Sequence, residues 1–220
     1  MYRVREEGWL DAAENLRRDE ALLAQGSPAA RVARLRGPVV SLGVAQPAGS
    51  LVYGRAEREG LPLVRRRSGG TGLLHLEGDL VWSVVLPRPD PRVGRDYSRA
   101  YARLGDPLVT TLRGFRIAAA WSPPIGVSTE FCLLAPRGQA LCVGERVLGG
   151  AAQHVTHRAL LHHGTLSVRV DRPRLSTLFA VAPSILERHV TALSELSGAP
   201  EAEVVATTLR ANLESWLGPP

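Results

Sequence analysis

The chain has 220 residues, of which 45% are hydrophobic and 22% are charged, so we expect one globular domain over residues 1–220 with one sizeable core. No apolar run approaches the roughly 20 residues that a membrane-spanning helix needs, and the first residues mix acids with arginines, which argues against a secretory signal and for a cytoplasmic protein with no membrane partner. The formal net charge of +6 favours acidic partners, but aromatic residues make up only 5% of the chain and no basic helix or finger motif occurs, so nucleic acid is not an expected partner.

The predicted elements group by type along the chain. In chain order they are a helix over 9–24, strands over 31–35, 38–43, 62–67 and 80–86, a helix over 96–112 that is broken or bent near Gly105 and Pro107, strands over 115–121, 129–134, 139–143 and 164–170, and helices over 184–196 and 200–216. Residues 135–138 form the expected hairpin turn between two of these strands. Strands dominate the middle and helices the ends, which predicts an α+β fold rather than a doubly wound parallel sheet.

The most informative segment is the glycine-rich run over residues 65–75, RRRSGGTGLLH. Three glycines in four positions allow the backbone to approach a ligand closely, and successive free N–H groups beside arginines make a concave site for an anionic group. The segment is neither a phosphate-binding P-loop nor a dinucleotide fingerprint, because it contains no lysine and no GxGxxG.

The whole segment resembles the RRxSGG(G)AVxH motif of the lipoate–protein ligase and octanoyltransferase family. Other matches follow in the family's order: residues 19–23 resemble D-E-A-L-L, 40–46 contain S-L-G-x-x-Q, 75–83 resemble the H-D-x-G-N-L-x-x-S continuation, 150–153 with 161–166 resemble GSAQ…HHGTLL, and 190–196 resemble the R-V-T-N-L-x-E-L helix. The resemblance covers residues 15 to 216.

This resemblance implies both a fold and an activity. The fold is a mixed, largely antiparallel sheet flanked by helices, like that of biotin and lipoate protein ligases and related to class II synthetases. The activity is attachment of lipoyl or octanoyl groups to a lysine of a lipoyl domain. The residues that the resemblance places at the acyl or acyl-adenylate site are Glu20, Arg66, Ser68, Gly69, Gly70, Thr71, Leu74, His75, Gly150, Ala152 and His163.

The chain departs from the family at its active-site lysine. All 27 basic residues are arginine, and the family's lysine, three residues before the glycine of G-x-A-Q, contacts the acyl carbonyl oxygen. Ungapped alignment through Gly150 and His163 puts Val147 at that position. An alternative alignment through Gly149 puts Arg146 there, but it needs a one-residue insertion before His163. Loss of such a donor typically costs about 2.7–4 kcal/mol of transition-state stabilisation.

Two cysteines are too few for a disulfide framework, which fits a reducing compartment. Cys132 lies in a segment similar to the T-D-x-C-F-x-x-P segment of the family's cysteine-dependent octanoyltransferases, in which the cysteine forms the acyl thioester. The alternative is a small buried hydrophobic residue in a strand, and Cys142 is assigned to the core in this way. The histidines show no spacing typical of a tetrahedral zinc site, so no structural metal is expected.

Two functional hypotheses remain. The first is an acyl-transfer enzyme, either a ligase that uses lipoate with ATP and Mg²⁺ or a transferase that takes octanoate from an acyl carrier protein; neither would hold a tightly bound cofactor. The second is a non-catalytic family member that binds lipoate or an acyl-adenylate, motivated by Val147. Biotin protein ligase activity is not expected, because the GRGRxGR-type loop is missing.

Overall fold

A seven-stranded sheet lies at the centre of the computed structural model, which describes residues 3–94, 100–123, 125–135 and 139–218. The strands are Arg3–Leu10 (β1), Ala29–Leu35 (β2), Leu80–Pro87 (β6), Ala119–Ser122 (β7), Ala140–Val143 (β8), Arg146–Val155 (β9) and Ala159–Leu166 (β10). Their spatial order is β1-β2-β6-β10-β9-β8-β7. Only the β1–β2 pair is parallel among the neighbours in this described sheet.

A smaller sheet packs beside the large one. It consists of Val39–Leu42 (β3), Leu63–Arg65 (β4) and Leu73–His75 (β5) in the order β4-β3-β5. The helices are Ala12–Gln25 (α1), Leu51–Arg58 (α2), Ala100–Gly114 (α3), Arg172–Phe179 (α4), Pro183–His189 (α5) and Ala202–Leu217 (α6), with a 3₁₀ turn at Leu193–Glu195. This mixed, largely antiparallel architecture flanked by helices confirms the predicted α+β fold.

The two faces of the large sheet bury different partners. Alternate residues of β6 point to opposite faces, so Val84 and Leu86 pack in a cluster with α3 and α6, whereas Val85 packs against Leu22 and Leu23 of α1. A separate small-sheet cluster joins β3, β5, α2, α4 and α5 to β8 and β9. The space between α1, the small sheet and the large sheet is where the candidate site forms.

The N-terminal prediction was wrong at its first residues. Trp9 and Leu10 end β1, and α1 begins only after Asp11, whose carboxylate accepts a hydrogen bond of 2.7 Å from the backbone N–H of Glu14. The strand was missed because charged residues obscure its alternation. One of them, Glu7, has a side chain that is only 7% exposed and pairs with Arg31, so its charge is not a sign of exposure.

The segment over 129–134 is not a strand. Phe131 makes one isolated bridge to Gly72, and the following residues form a turn. The Thr129 hydroxyl accepts the N–H of Phe131, a local side-chain bond that competes with a strand ladder, and the Glu130 carboxylate reaches across to accept the N–H groups of Leu51 and Val52. Residues 136–138 of the expected hairpin turn lie outside the described residues.

Other boundaries also differ from the predictions. The strand expected over 164–170 is β10, which ends at Leu166, and the helix expected over 184–196 is α5 followed by an extended segment and the 3₁₀ turn. Helix α3 runs through Gly105 and Pro107 as one element, while residues 96–99 of its predicted start lie outside the described residues. Strands β1, β5 and β9 and helices α2 and α4 were not predicted as elements. None of the described helices is both long and apolar enough to cross a membrane.

Candidate acyl-binding site

A cavity of about 90 Å³ lies between α1, the small sheet and the face of the large sheet formed by β6, β9 and β10. Its walls are mostly apolar, with side chains that include Leu16, Leu35, Val64, Leu73, Val81 and Leu133. Polar groups are few and come from several elements. This combination is typical of a site that holds an apolar ligand and orients its polar end.

The cavity brings together six of the residues that the sequence placed at the site: Arg66, His75, Cys132, Gly150, Ala152 and His163. The others do not line it. Glu20 lies outside, where its carboxylate accepts a 2.8 Å hydrogen bond from Arg67, and Leu74 packs in the small-sheet cluster. The residues of the glycine loop from Ser68 to Thr71 contact lining residues instead: the Ser68 hydroxyl bonds to His163, and the carbonyl oxygens of Gly69 and Thr71 accept from Arg66.

Arg66 holds the glycine loop together. Its Nη1 donates to the Ser41 carbonyl oxygen at 3.1 Å, and its Nη2 donates to the carbonyl oxygens of Gly69 at 2.9 Å and Thr71 at 2.8 Å. Nη2 also lies 3.7 Å from the Sγ atom of Cys132. Only 7% of the residue is exposed, and burial lowers the pKa of Arg66 against the opposing effect of Cys132.

Cys132 is positioned by contacts on both sides of it. Its backbone N–H donates to the Gly72 carbonyl oxygen at 2.8 Å, so the cysteine segment is attached to the glycine loop. The preceding Phe131 stacks on Phe179 of α4 with ring centroids 4.9 Å apart. The Glu130 carboxylate binds the first N–H groups of α2, where the partial positive charge of a helix end favours it. The sulfur is thereby held at the cavity wall.

Two glycines make this close packing possible. Gly70 has φ +92°, and a Cβ there would lie 2.7 Å from the sulfur of Cys132 and 2.8 Å from Nη2 of Arg66. A Cβ at Gly43 would lie 1.9 Å from the carbonyl oxygen of Gly70. The loop therefore needs glycine at both positions to lie against β3 and against the cysteine.

His163 is the centre of a hydrogen-bond chain that crosses the cavity wall. Its Nδ1 lies 3.0 Å from a carboxylate oxygen of Asp19, and its Nε2 lies 2.7 Å from the Ser68 hydroxyl oxygen. Although burial alone would raise it, the pKa of Asp19 is lowered by the hydrogen bond and charge of His163 and by Arg31. An ionised Asp19 accepts a hydrogen bond from the Nδ1–H group, which leaves the Nε2 lone pair facing Ser68.

His75 has a different environment. Its Nε2 lies 2.9 Å from the Ser41 hydroxyl oxygen, and burial, reinforced by the positive charge of Arg66, lowers the pKa of His75 to about 3. The ring is neutral at physiological pH. It therefore orients Ser41 and contributes no positive charge to the cavity.

A β-bulge in β9 decides where the two candidate lysine positions point. Leu141 pairs with Gly149 and Cys142 pairs with Val147, so Leu148 is the extra residue. Val147 is fully buried in the small-sheet cluster, and Arg146 donates to Glu195 at 2.9 Å and to the Val190 carbonyl oxygen at 3.1 Å. Neither side chain lines the cavity. The register of β9 with β10 is regular from Gly149 to Val155, with no inserted residue before His163.

Asp19 and Ser41 are site residues that the sequence reasoning missed. Both lie inside recognised segments, DEALL and SLGVAQ, but Glu20 was chosen from the first and no residue from the second. The available signal was helical phase, since Asn15 and Asp19, four residues apart, share one face of α1 and both line the cavity. Throughout the described ranges, no group of three or more His, Cys, Asp or Glu residues is arranged to hold a metal ion.

Comparison with known proteins gives consistent matches. Residues 11–214 match the family model described as the lipoyl protein ligase A/B catalytic domain. The chain is 30% identical over 171 residues to octanoyltransferase LipM of Carboxydothermus hydrogenoformans, covering 74% of this chain and 63% of that protein, so it spans less than two thirds of that relative's length.

Solved structures share the fold. A bi-partite lipoate protein ligase from Thermoplasma acidophilum, studied with its E2 lipoyl domain, superposes with a TM-score of 0.75 at 22% identity over 99% of this chain and 84% of that one. A lipoate-protein ligase A bound with ATP superposes with a TM-score of 0.76 at 24% identity over 98% and 85%.

Proposed function

Because the chain belongs to the lipoyl protein ligase A/B catalytic domain family, we propose that it is an octanoyl or lipoyl transferase that carries the acyl group as a thioester on Cys132. The observation that carries this proposal is the position of the Cys132 sulfur, which lines an apolar cavity and contacts the Arg66 guanidinium at 3.7 Å. A cysteine serving only as a core residue has no need of either environment. The non-catalytic alternative is not favoured, since the similar octanoyltransferase is an enzyme.

The reaction takes place in two steps at the same sulfur. The Cys132 thiolate attacks the carbonyl carbon of an acyl thioester on an acyl carrier protein, and the carrier thiol leaves with a proton. The ε-amine of a lysine on a lipoyl domain then attacks the Cys132 thioester, an amide forms, and the Cys132 thiol is released. Thioesters suit this chemistry because they remain reactive towards amines.

The apolar wall selects the acyl chain. Each buried CH₂ group contributes about 0.8 kcal/mol, so a medium-length chain gains several kcal/mol in a cavity lined by Leu16, Leu35, Leu73 and Val81. His163 accepts the proton that the attacking amine loses. Asp19 holds the His163 ring in the tautomer whose Nε2 is basic, with the Ser68 hydroxyl beside it.

The charged groups of the cavity favour a thioester donor over free lipoate with ATP and Mg²⁺. Among the described lining residues, Asp19 is the only carboxylate, and it is already bonded to His163 and Arg31. Magnesium prefers carboxylate and phosphate oxygens, and this wall offers no free carboxylate for it. We assign no role in the reaction to Arg146 or Val147.

The test combines intact-protein and acceptor mass spectrometry. The purified protein is incubated with a lipoyl domain and either octanoyl-carrier protein or lipoate with Mg-ATP. We expect the octanoyl donor to add one acyl group to Cys132 and then to the acceptor, and Cys132→Ala to abolish both. Cys142→Ala is the matched control and should leave both intact. Acceptor modification by Cys132→Ala, or modification only with lipoate and Mg-ATP, would contradict the thioester route.

A further inference from the structure

Arg66 is a buried cation without a carboxylate partner. Within the described residues, no Asp or Glu side chain lies within ion-pair distance of its guanidinium, although only 7% of the residue is exposed. Arg31, which is 2% exposed, pairs with both Glu7 and Asp19. Burying an unpaired charge is costly, so such a group is expected to have an anion to bind at some stage of function.

The contacts of Arg66 do not by themselves require a charge. Its partners are the carbonyl oxygens of Ser41, Gly69 and Thr71 and the Ser41 hydroxyl, all neutral acceptors that an uncharged donor could also satisfy. The remaining partner is the sulfur of Cys132 at 3.7 Å. Of the contacted atoms, this sulfur alone becomes an anion under ordinary conditions.

The backbone keeps the space between these two groups clear. Gly70 adopts φ +92°, and a Cβ at this residue would lie within 2.8 Å of both the sulfur and Nη2. Gly69 is adjacent, but a Cβ there would meet no atom within 4 Å. The glycine that the contact requires is therefore Gly70.

No other arginine reaches this position in the part of the chain that the structure describes. Arg66 is the only arginine among the described lining residues, Val147 is enclosed in the small-sheet cluster, and Arg146 is bonded to Glu195. His75 is neutral at physiological pH, because burial lowers its pKa to about 3. The cavity thus holds one permanent positive charge.

We propose that Arg66 is the catalytic cation of the acyl transfer, which pairs with the Cys132 thiolate when the sulfur attacks and again when it leaves. This inference rests on the proposed function. In the first step the C–Sγ bond forms, the C–S bond to the carrier breaks, and the carrier sulfur takes the proton that Cys132 gave up. In the second step the C–N bond forms and the C–Sγ bond breaks with its electron pair on Sγ, facing Arg66. The amine proton passes to His163 and returns to the sulfur, because a guanidinium does not act as a base.

The first test measures Cys132 alkylation by iodoacetamide at neutral pH in a Cys142→Ala background. We expect Arg66→Met to slow alkylation by about tenfold or more, because the thiolate is the reacting species. A purely structural role predicts the opposite sign, since a loosened loop would expose the sulfur and speed alkylation. Arg65→Met is the matched control, because Arg65 holds the carbonyl oxygens of Gly43 and Gln46 at 2.8 and 2.6 Å and touches no sulfur. An unchanged or faster rate in a folded Arg66→Met variant overturns the proposal.

A second measurement needs no substitution at Arg66. In the folded Cys142→Ala protein, a neighbouring cation should raise the ratio of the iodoacetate rate to the iodoacetamide rate above its value in the urea-unfolded protein. An equal or lower ratio in the folded protein overturns the proposal even if Arg66→Met fails to fold.

The third test uses transfer itself. Arg66→Ala should lower the rate of acyl transfer by about a hundred- to a thousand-fold, as removal of one charged or hydrogen-bonding group at a reacting centre does. Added guanidinium ion at a non-denaturing concentration should restore part of the lost rate. If guanidinium does not restore the rate, and if Arg66→Lys and Arg66→Gln transfer the acyl group at equal rates, the proposed role of the Arg66 charge is overturned. If the wild-type protein forms no Cys132 thioester, the proposed function fails, while the alkylation ratio still decides whether Arg66 and the sulfur are paired.

Discussion

Two buried arginines in this protein differ in their partners: one is paired with carboxylates and the other is not. Arg31 donates to Glu7, to Asp19 and to the side chain of Asn15, and so joins β1, α1 and β2 in a neutralised network that also reaches His163. Arg66 donates to neutral oxygens of β3 and the glycine loop and to one sulfur. The charge of Arg31 is paired with carboxylates and holds elements together, whereas the charge of Arg66 has no carboxylate partner and lies at the cavity wall.

The difference indicates the role of each arginine: a buried arginine that is paired with carboxylates stabilises the fold, and one without such a partner is available to the reaction. A buried pair that loses one partner leaves an uncompensated charge, so Arg31 should matter mainly for stability. The oxygens bonded to Arg66 are neutral, so its loss should weaken the loop less and the reaction more. Each half of this comparison can be tested by substitution.

The largest expected effect on stability comes from Arg31→Met. It leaves buried Asp19 with His163 as its remaining partner and Glu7 with Arg18 as its remaining guanidinium, and breaking a buried pair in this way costs about 3–5 kcal/mol. Urea unfolding followed by circular dichroism measures the change. Arg66→Met should cost clearly less, and an equal or greater loss for Arg66→Met would remove the distinction between the two arginines.

The next largest effect is expected from Gly70→Ala. The added Cβ would contact the sulfur and Nη2 and would sit at φ +92°, a strained conformation that costs about 1–3 kcal/mol. We expect a matching loss of stability and a strong loss of transfer, measured with the octanoyl donor. Gly69→Ala is the control, since its Cβ would enter open space, and comparable losses for both variants would show that the loop is merely sensitive to any side chain.

The pH dependence of stability should reveal the neutral histidines. Burial lowers the pKa values of His75 and His162 to about 3, whereas an unfolded chain protonates histidine near pH 6.5. Between these pH values the unfolded state binds more protons than the folded state. The contribution of the two histidines to the free energy of unfolding is therefore complete above pH 6.5, and it falls as the pH decreases towards 3 by about 1.4 kcal/mol per pH unit for each histidine. His75→Gln should reduce the slope of the free energy of unfolding against pH by the amount that corresponds to one proton. Urea titrations at several pH values measure this slope. An unchanged slope would mean that His75 is protonated in the folded protein.

The smallest expected effect is that of Glu130→Gln. The substitution removes the negative charge at the start of α2 but keeps an oxygen acceptor for Leu51 and Val52, so stability should fall by about 0.3–1 kcal/mol. Thermal unfolding measures this change. Because the same side chain anchors the Cys132 segment, transfer should fall by a few-fold, and a change larger than that of Gly70→Ala would place Glu130 in the reaction rather than in support of it.

Several features could be predicted from local sequence. The glycine loop, Cys132, His75 and His163 belong to contiguous segments whose residue types and spacing carry the family resemblance, and the fold class follows from the order of strands and helices. The elements that were missed, such as β1 and α2, have weak local signals. Their charged or polar residues are neutralised by distant partners, as Glu7 is by Arg31 and the N-terminus of α2 is by Glu130.

The sequence alone determined the chemistry that is available: a chain without lysine, with a family cysteine and a loop whose glycines permit close backbone approach. Only the tertiary structure decided how these groups meet. It turned Val147 into the small-sheet cluster and Arg146 towards Glu195, and it joined Asp19 to His163 across 144 residues of chain. Pairing of buried charges depends on distances between elements that are remote in sequence, and for that reason the contrast between Arg31 and Arg66 appears only in the folded protein.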